Sequence, residues 1–266
     1  MLKLKVIQIN IYKGKYLAQL IDFLNKESPD VITMQEVTVG GFNLTGDLSA
    51  NLFEILKDKL KLNGVYHGDL ELTGSPGSTF GNAVFTKSKI KKSRVVTLKK
   101  FKSVTLDELD GRSANEIRPQ IPRHMLDVLV DAPLGELHAI SVHGAWTAPP
   151  ADTKENLRQA KLIKDYLGQL NKNGEPFILG GDLNMPPGTK VIEMIGSVSN
   201  NLMLGSGFTY SLNPKVHSIA PKNYLVDYIF TSEHFKVLSL DVPEVTVSDH
   251  LPVVAELLPV IATKQS

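Results

Sequence analysis

The chain has 266 residues, of which 42% are hydrophobic and 21% are charged, a composition typical of a soluble globular protein that can bury a large core. Its formal net charge of +1 at pH 7 gives no overall field that would recruit nucleic acid or an anionic membrane. The absence of cysteine excludes disulfides, thiolate zinc sites and cysteine nucleophiles.

The first residues predict neither a signal peptide nor a membrane anchor. Charged and apolar residues alternate over positions 1–6, and no window is apolar for long enough to span a bilayer. We therefore expect a cytoplasmic protein without membrane insertion.

The N-terminal part of the chain predicts a strand–helix–strand unit. Residues 4–9 predict a buried strand that ends at Asn10, residues 16–26 have helical spacing, and residues 31–34 predict a strand that runs into Glu36. Because such a crossover usually leaves its strands parallel, both strand ends face the same edge of the sheet. Asn10 is therefore predicted to lie near Glu36.

The middle of the chain predicts β-hairpins and one long loop. Strands are predicted at residues 64–72, 83–86, 94–98 and 125–130. Residues 106–120 are polar and predict a long loop, either on the substrate side of the molecule or mobile.

A basic segment follows the first hairpin. Eight basic residues and no acidic residue occur from Lys87 to Lys102, and Lys87, Lys89 and Lys91 alternate along the chain. Alternating lysines favour an exposed strand edge, where they discourage pairing with other chains. The alternative is a surface that contacts a phosphate backbone.

A second strand–helix–strand unit resembles the first in architecture. Residues 137–142 predict a strand that ends at His143, residues 152–170 predict an amphipathic helix, and residues 177–179 predict a strand that leads to Asp182. His143 is therefore predicted to lie near Asp182.

The remaining apolar runs are consistent with one domain. A short helix is predicted at residues 188–195, and strands are predicted at residues 208–212, 226–230, 236–240 and 253–257. No change of composition marks a linker between two folded units. We expect one domain over residues 1–260 and a flexible tail over residues 261–266.

Polar residues at the strand ends have ordinary explanations when each is taken alone. Glu36 could form a salt bridge, and Asp182 and Asn184 could form a turn, although alternation places both on the same side of the chain. Asp249 could cap a turn, but Asp227 lies within an apolar run and needs a partner, for which a histidine is suitable. Acid, amide and imidazole groups gathered in one pocket would suit a hard cation and a proton-transfer group.

Six motifs in chain order carry a family resemblance: Asn10, Gln35-Glu36, His143, Gly181-Asp182-Leu183-Asn184, Asp227-Tyr228 and Ser248-Asp249-His250. Together they resemble the endonuclease/exonuclease/phosphatase superfamily, which includes the DNase I-like nucleases. The resemblance implies an α/β protein with a four-layer α/β sandwich, in which two mixed β-sheets pack face to face with helices outside. It also implies hydrolysis of a phosphate ester with Mg²⁺ or Mn²⁺.

The resemblance implies a metal site. By position, Glu36 is the principal metal carboxylate, with Asn10 beside it and Asp249 holding the metal or its water shell. Many members of the superfamily have another acid or amide two residues after the first Asn, where this chain has Tyr12. This difference weakens the case for a second metal held by the protein.

The resemblance also implies catalytic roles. Asp182 and Asn184 would orient the attacking water and the scissile phosphate. His250 would be the general base or the transition-state stabiliser, with Asp227 fixing its orientation, and His143 would hydrogen-bond a phosphoryl oxygen.

Two further residues have an open role. Arg123, at the start of a predicted strand, resembles an arginine that is often found near the site in this superfamily. Trp146 is the only tryptophan, and it is assigned equally to the wall of a substrate pocket or to packing.

The sequence predicts a divalent-metal-dependent phosphoric ester hydrolase that cleaves its substrate by metal- and His/Asp-assisted attack of water. A phosphodiesterase or nuclease-like enzyme is favoured. The alternatives are a phosphomonoesterase (phosphatase) that acts on a sugar or inositol phosphate, and a non-catalytic binding module on the same fold. We expect a monomer whose partner is a phosphate-ester substrate, for which a nucleic acid is one candidate.

Overall fold

The computed structural model describes residues 3–100, 105, 107–108, 114–132, 135–218 and 223–260. The tail predicted at residues 261–266 lies outside the described residues, as do parts of the loop predicted at residues 106–120.

Twelve strands in the described part of the chain form two six-stranded sheets. The first sheet contains β1 (Leu4–Asn10), β2 (Val31–Val39), β3 (Asn63–Glu71), β4 (Thr79–Thr86), β11 (Phe235–Asp241) and β12 (Val253–Pro259), in the spatial order β11-β12-β1-β2-β4-β3. The second sheet contains β5 (Lys89–Lys99), β6 (Arg123–Ala132), β7 (Gly135–His143), β8 (Phe177–Asp182), β9 (Asn200–Asn201) and β10 (Asp227–Thr231), in the spatial order β5-β6-β7-β8-β10-β9. The central pair of each sheet, β1–β2 or β7–β8, is parallel, and the other pairs are antiparallel.

Helices cover the outer faces of both sheets. Helices α1 (Leu17–Glu27) and α2 (Leu52–Leu60) share an apolar cluster with the first sheet, and α3 (Lys154–Lys172) and α4 (Lys190–Gly196) share one with the second. The inner faces of the two sheets pack together, with β1 and β2 against β7 and β8. This arrangement confirms the four-layer α/β sandwich that the sequence predicts.

Alternation along β1 shows how the sequence forms these layers. Ile7 and Ile9 pack with the cluster that contains α1 and α2, whereas Val6 belongs to the cluster of the other sheet. Because successive side chains of a strand point to opposite faces, Gln8 also faces the second sheet. Gln8 lies in the core, where its side chain hydrogen-bonds Thr33 and Gln35 of β2.

The two sheets approach closely at Gly180 in β8. A Cβ atom at this position would lie 2.0 Å from Oγ1 of Thr33 and 2.9 Å from Oε1 of Gln8. A side chain there would push the sheets apart, so this glycine permits the approach of their central strands.

Most elements lie where the sequence predicts them, but α2 and the short strand β9 are not predicted, and β2 continues past Glu36 to Val39 instead of ending before it. Two further predictions are wrong. The strand predicted at residues 208–212 is wrong, because Ser211 and Leu212 both donate backbone N–H groups to the carbonyl of Tyr224, and Leu212 forms only an isolated bridge with His250. The long loop predicted at residues 106–120 is wrong at its end, where a helical turn (Ala114–Ile117) leads into a 3₁₀ turn (Arg118–Gln120).

Candidate active site

An open pocket of about 330 Å³ lies where the parallel pairings of β1 with β2 and of β7 with β8 end. Seven of the eight residues predicted to be catalytic or metal-binding line this pocket: Asn10, Glu36, His143, Asp182, Asn184, Asp249 and His250. The eighth, Asp227, is fully buried behind His250.

Strand register brings the residues of the second sheet together. His143 of β7 and Asp227 of β10 both pair directly with Asp182 of β8. Residues paired across neighbouring strands point to the same face, so the three side chains share the inner face of the sheet. Asn10 reaches this group from the first sheet, because its Nδ2 donates a hydrogen bond of 3.1 Å to Oδ2 of Asp182.

Glu36 occupies a β-bulge in β2. The pairing of β2 with β4 shifts register between Met34 and Val37, and Glu36 has a positive φ of 58°. A bulge changes the direction of the side chain that it carries, and a positive φ in a residue with a Cβ atom is a strain that collects at functional sites. The Glu36 side chain lines the pocket.

The two candidate metal carboxylates have opposite pKa shifts. Burial raises the pKa of Glu36, although the positive charge of Lys13 lowers it in part. The negative charge of Asp249 raises this pKa further. Burial also raises the pKa of Asp249, but the hydrogen bond from His217 and the charges of His250 and His217 lower it by more, so the net pKa lies below its usual value. Nδ1 of His217 lies 3.0 Å from Oδ2 of Asp249. These two electrostatically linked carboxyl groups fit a divalent cation, because such an ion favours the charged form of both.

Asp182 is held by donors on both of its oxygens. Its Oδ1 accepts the backbone N–H of Asn184 at 2.9 Å, and its Oδ2 accepts the Asn10 side chain. Burial raises the pKa of Asp182 to about 6, with the charge of His250 opposing this rise and that of Asp227 adding to it. The carboxyl group is therefore mostly ionised at pH 7 but close enough to neutrality to accept a proton.

His250 is fixed from behind by Asp227. Its Nδ1 lies 2.8 Å from Oδ2 of Asp227, and its Nε2 lies 3.8 Å from Oδ2 of Asp182. Asp227 also accepts hydrogen bonds from Ser211 at 2.7 Å and from Gln8 at 3.3 Å. Burial lowers the pKa of His250, but the charges of Asp227 and Asp182 raise it by more, so the net pKa lies well above its usual value. The structure therefore favours a protonated imidazolium.

His143 is a neutral counterpart to His250. Its Nε2 lies 3.4 Å from Oδ2 of Asp182, and burial together with the positive charges of Arg123 and His250 holds its pKa well below the usual value. Nε of Arg123 donates to the carbonyl of Gly144 at 2.9 Å. Nη1 of Arg123 is buried and has no hydrogen-bond partner among the described residues, although this side chain lines the pocket.

Asn184 both forms the turn that the sequence predicts and lines the pocket. It has a positive φ of 55° in the turn after β8, and its Nδ2 donates to the carbonyl of Gly144 at 3.2 Å. The turn predicted from composition therefore holds the side chain beside the pocket.

The rim of the pocket contains the only tryptophan. Trp146 lines the pocket, and the guanidinium of Arg118 lies 5.5 Å from the centre of its ring, within range of a cation–π contact. The structure therefore assigns Trp146 to the pocket wall, which is one of the two roles that the sequence left open.

Three residues near the site are not among those predicted from the sequence. His217 contacts Asp249, and Ser211 and Gln8 hydrogen-bond Asp227. Gln8 carried a usable signal, because it is a polar residue at an inward position of an apolar strand. Ser211 and His217 carried none, since their contacts depend on the path of an irregular segment.

The basic segment lies on an edge strand. Most of it is β5, which is one of the two edge strands of the second sheet, and Lys89 and Lys91 are exposed there. Lys91 forms an ion pair of 2.5 Å with Glu136, and Lys87 forms one of 3.1 Å with Asp30. These contacts support the strand-edge interpretation of the described part of the segment.

Acid, amide and imidazole groups gathered beside the central strands of a two-sheet sandwich suit a metal-dependent phosphoester hydrolase. A sequence model of the endonuclease/exonuclease/phosphatase family matches residues 7–250, and the chain belongs to this family.

Solved structures share the fold at low sequence identity. An endonuclease/exonuclease/phosphatase from Bacteroides vulgatus is 17% identical with a TM-score of 0.73, covering 98% of this chain and 100% of that one. A mannosyl-6-phosphatase from Bacteroides thetaiotaomicron is 18% identical with a TM-score of 0.69, covering 96% and 99%. TDP2 from D. rerio, complexed with a single-strand DNA product, is 14% identical with a TM-score of 0.67, covering 96% and 99%. A search of curated proteins found no significant match.

In the described part of the chain, no helix is both long enough and apolar enough to cross a membrane.

Proposed function

We propose that the protein is a divalent-metal-dependent phosphodiesterase that cleaves its substrate by direct attack of water. The observation that carries this proposal is the position of Asp182, whose Oδ2 lies 3.4 Å from Nε2 of His143 and 3.8 Å from Nε2 of His250, in one pocket with the Glu36 carboxylate. Family membership supports hydrolysis of a phosphoester but leaves the substrate open.

Glu36 and Asp249 are the residues that we assign to the metal, with Asn10 beside them. When bound there, Mg²⁺ or Mn²⁺ supplies positive charge that stabilises the negative charge of the phosphoryl transition state. The two polar atoms of the Asn10 side chain have different partners. Nδ2 of Asn10 donates a hydrogen bond to Asp182, so Oδ1 faces away from that carboxylate. Oδ1 accepts the backbone N–H of Tyr12 at 3.0 Å.

Asp182 is the residue best suited to accept the proton of the attacking water. With a pKa of about 6, it is ionised at pH 7 and still basic enough to act as a general base. The water oxygen bonds to phosphorus, its proton passes to Asp182, and the ester P–O bond breaks. The departing oxygen takes a proton from solvent.

His250 is better suited to stabilise charge than to accept a proton. The carboxylates of Asp227 and Asp182 keep its pKa well above the usual value, and a protonated imidazole is not a base. Its Nε2–H is available to a non-bridging oxygen of the phosphoryl group, where negative charge develops. Of the two roles left open by the sequence, we therefore propose transition-state stabilisation.

Arg123 adds a second donor for the phosphate. Its Nη1 is buried at the pocket wall with no partner among the described residues, and leaving a charged donor unpaired is costly. A phosphoryl oxygen bound at this atom would remove that cost.

The rim of the pocket favours a diester with a planar group. The ring of Trp146 at the pocket wall offers a stacking surface for a base of a single-stranded nucleic acid or a nucleotide. The compact pocket favours, as a second candidate, a phosphomonoester of a sugar or inositol, and the test must separate the two.

A substrate panel tests the proposal. Single-stranded oligonucleotides and bis(p-nitrophenyl) phosphate represent diesters, and p-nitrophenyl phosphate and sugar phosphates represent monoesters, each with Mg²⁺, Mn²⁺ or EDTA. We expect metal-dependent diester cleavage that is lost in Asp182→Asn and retained in Asp131→Asn, a variant of an acid on β6 outside the pocket. Faster cleavage of monoesters would assign the phosphatase alternative, and no cleavage by folded, metal-loaded protein would favour a binding module.

A further inference from the structure

A second cluster of metal-ligating side chains lies outside the candidate active site. His67 and Asp69 of β3 and His124 of β6 each offer one ligand atom, and these three atoms lie within 4.8 Å of one another. Nδ1 of His124 lies 3.1 Å from Oδ1 of Asp69, and the centres of the two imidazole rings are 4.6 Å apart. None of the three residues lines the active-site pocket.

Local backbone structure brings this cluster together. The pairing of β3 with β4 shifts register between Gly68 and Leu70, so Asp69 is the extra residue of a bulge. A bulge changes the direction of the side chain that it carries. β3 comes from the first sheet and β6 from the second, so the cluster joins the two sheets.

Two buried atoms beside this cluster lack hydrogen-bond partners. Nε2 of His67 and Oδ1 of Asn82 are buried and have none among the described residues. The Nδ2 of Asn82 is already used, because it donates to Oδ2 of Asp69 at 3.0 Å and to the carbonyl of His124 at 2.9 Å. Unpaired buried polar atoms are costly and rare, and an ion is one of the partners that accounts for them.

We propose that His67, Asp69 and His124 form a second metal site, which takes a transition-metal dication of the Zn²⁺ type. Two imidazoles and one carboxylate are a ligand set that suits Zn²⁺ and not Mg²⁺, and three protein ligands leave one position of a tetrahedral site open. Asn82 holds the second oxygen of Asp69 and so orients this ligand from outside. The inference is independent of the proposed hydrolysis.

The charge and exposure of the cluster are compatible with an ion. Asp69 is buried, so an added dication would compensate its buried negative charge. His67 and His124 are both partly exposed, which gives the ion a route from solvent. An ion bound by both sheets would oppose their separation and thus stabilise the fold.

The decisive measurement is Zn²⁺ binding in excess Mg²⁺, which is added to occupy the candidate catalytic centre. We expect wild type to bind one equivalent of Zn²⁺, with a higher Tm than in Mg²⁺ alone. His67→Gln should weaken binding by more than the roughly 10–100-fold that follows loss of an outer-shell partner. His138→Gln is the matched control, because His138 is another half-buried histidine that bonds an aspartate, Asp127, and it should bind Zn²⁺ like wild type.

The candidate active site is the main competitor for the ion. His217, Asp249 and His250 also lie close enough to hold a metal. Zn²⁺ binding that is lost in Glu36→Gln but kept in His67→Gln would overturn the proposal, as would the absence of Zn²⁺ binding.

Crystals of wild type soaked with Zn²⁺ and Mg²⁺ give an answer even if His67→Gln fails to fold. Anomalous scattering at the zinc edge should give a peak between His67, Asp69 and His124. A peak only in the active-site pocket, or no peak, would rule out the site.

Discussion

Oδ2 of Asp227 lies 2.8 Å from Nδ1 of His250, and this contact determines that Nε2 is the nitrogen of His250 that faces Asp182. Asp227 is fully buried and also accepts hydrogen bonds from Ser211 and Gln8, so it cannot rotate without breaking three contacts. The residues that hold the imidazole of His250 in place therefore lie in the core between the two sheets and not in the pocket.

The first prediction concerns this contact. Asp227→Asn should preserve the fold but lower kcat by roughly 10²–10⁴-fold, because it removes the charge that keeps His250 protonated and allows the wrong tautomer. NMR titration should show a lower pKa for His250. Asp127→Asn is the matched control, since Asp127 bonds His138 at 2.8 Å on the same sheet and lies outside the pocket. Equal losses in the two variants would mean that the effect is structural.

The second prediction is that Glu36 destabilises the metal-free protein. Burial raises its pKa, so ionisation of Glu36 costs stability once the pH rises above the unfolded value of about 4.5. In EDTA at neutral pH, Glu36→Gln should therefore have a higher Tm than wild type, by about 2–4 °C for each kcal/mol recovered. Excess Mg²⁺ should raise the Tm of wild type but not of the variant.

The activity of the same Glu36→Gln variant tests whether Glu36 holds the metal. Glu36→Gln should lose metal-dependent hydrolysis, whereas Glu233→Gln, which changes an exposed acid outside the pocket, should keep it. Unchanged turnover in Glu36→Gln or in EDTA would refute the assignment of the metal site.

The third prediction concerns pH. If Asp182 accepts the proton of water, it must be ionised, and its pKa of about 6 means that kcat/KM should fall about tenfold per pH unit below that value. The decrease should be fully reversible, with circular dichroism showing that the fold is intact. A flat profile through this range would contradict the role of Asp182 as base.

The fourth prediction concerns the edge strand β5. Changing Lys87, Lys89 and Lys91 to Gln should leave kcat/KM unchanged, because none of the three lines the pocket and the exposed ion pairs of Lys87 and Lys91 contribute little to stability. Binding of an oligonucleotide that is steeply salt-dependent in wild type, and lost in the triple variant, would instead identify a phosphate-contact surface.

Strand ends were predictable from the sequence because they depend on local patterns. The apolar runs before Asn10, His143 and Asp182 fixed where each strand stops, and the crossover rule placed the ends at one edge. The bulge at Glu36 was not predictable, because one extra residue in a strand leaves no mark on an apolar run.

The contact of His217 with Asp249 was not predictable, because it depends on long-range contacts between loops. His217 meets Asp249 because the side chain of Asn213 bonds the carbonyls of Val245 and Ser248, which docks one irregular segment on another. No spacing rule relates residues that lie 32 positions apart in loops. The monomeric state, the cytoplasmic location and the extent of the domain stay predictions from the sequence.

The last prediction tests whether Asp182 and His250 act in one chemical step. Oδ2 of Asp182 lies 3.8 Å from Nε2 of His250, so a phosphoryl group beside both could accept a hydrogen bond from Nε2 while its attacking water donates to Asp182. Asp182→Asn and His250→Gln should each lower kcat by roughly 10²–10⁴-fold. The double variant should lose little more activity than the worse single variant, because residues that act in one step are not additive. Once Asp182 no longer accepts the proton, stabilisation of charge by His250 adds little to that step. Losses that multiply in the double variant would show that the two residues act independently, and His250 would then have to be assigned to another step.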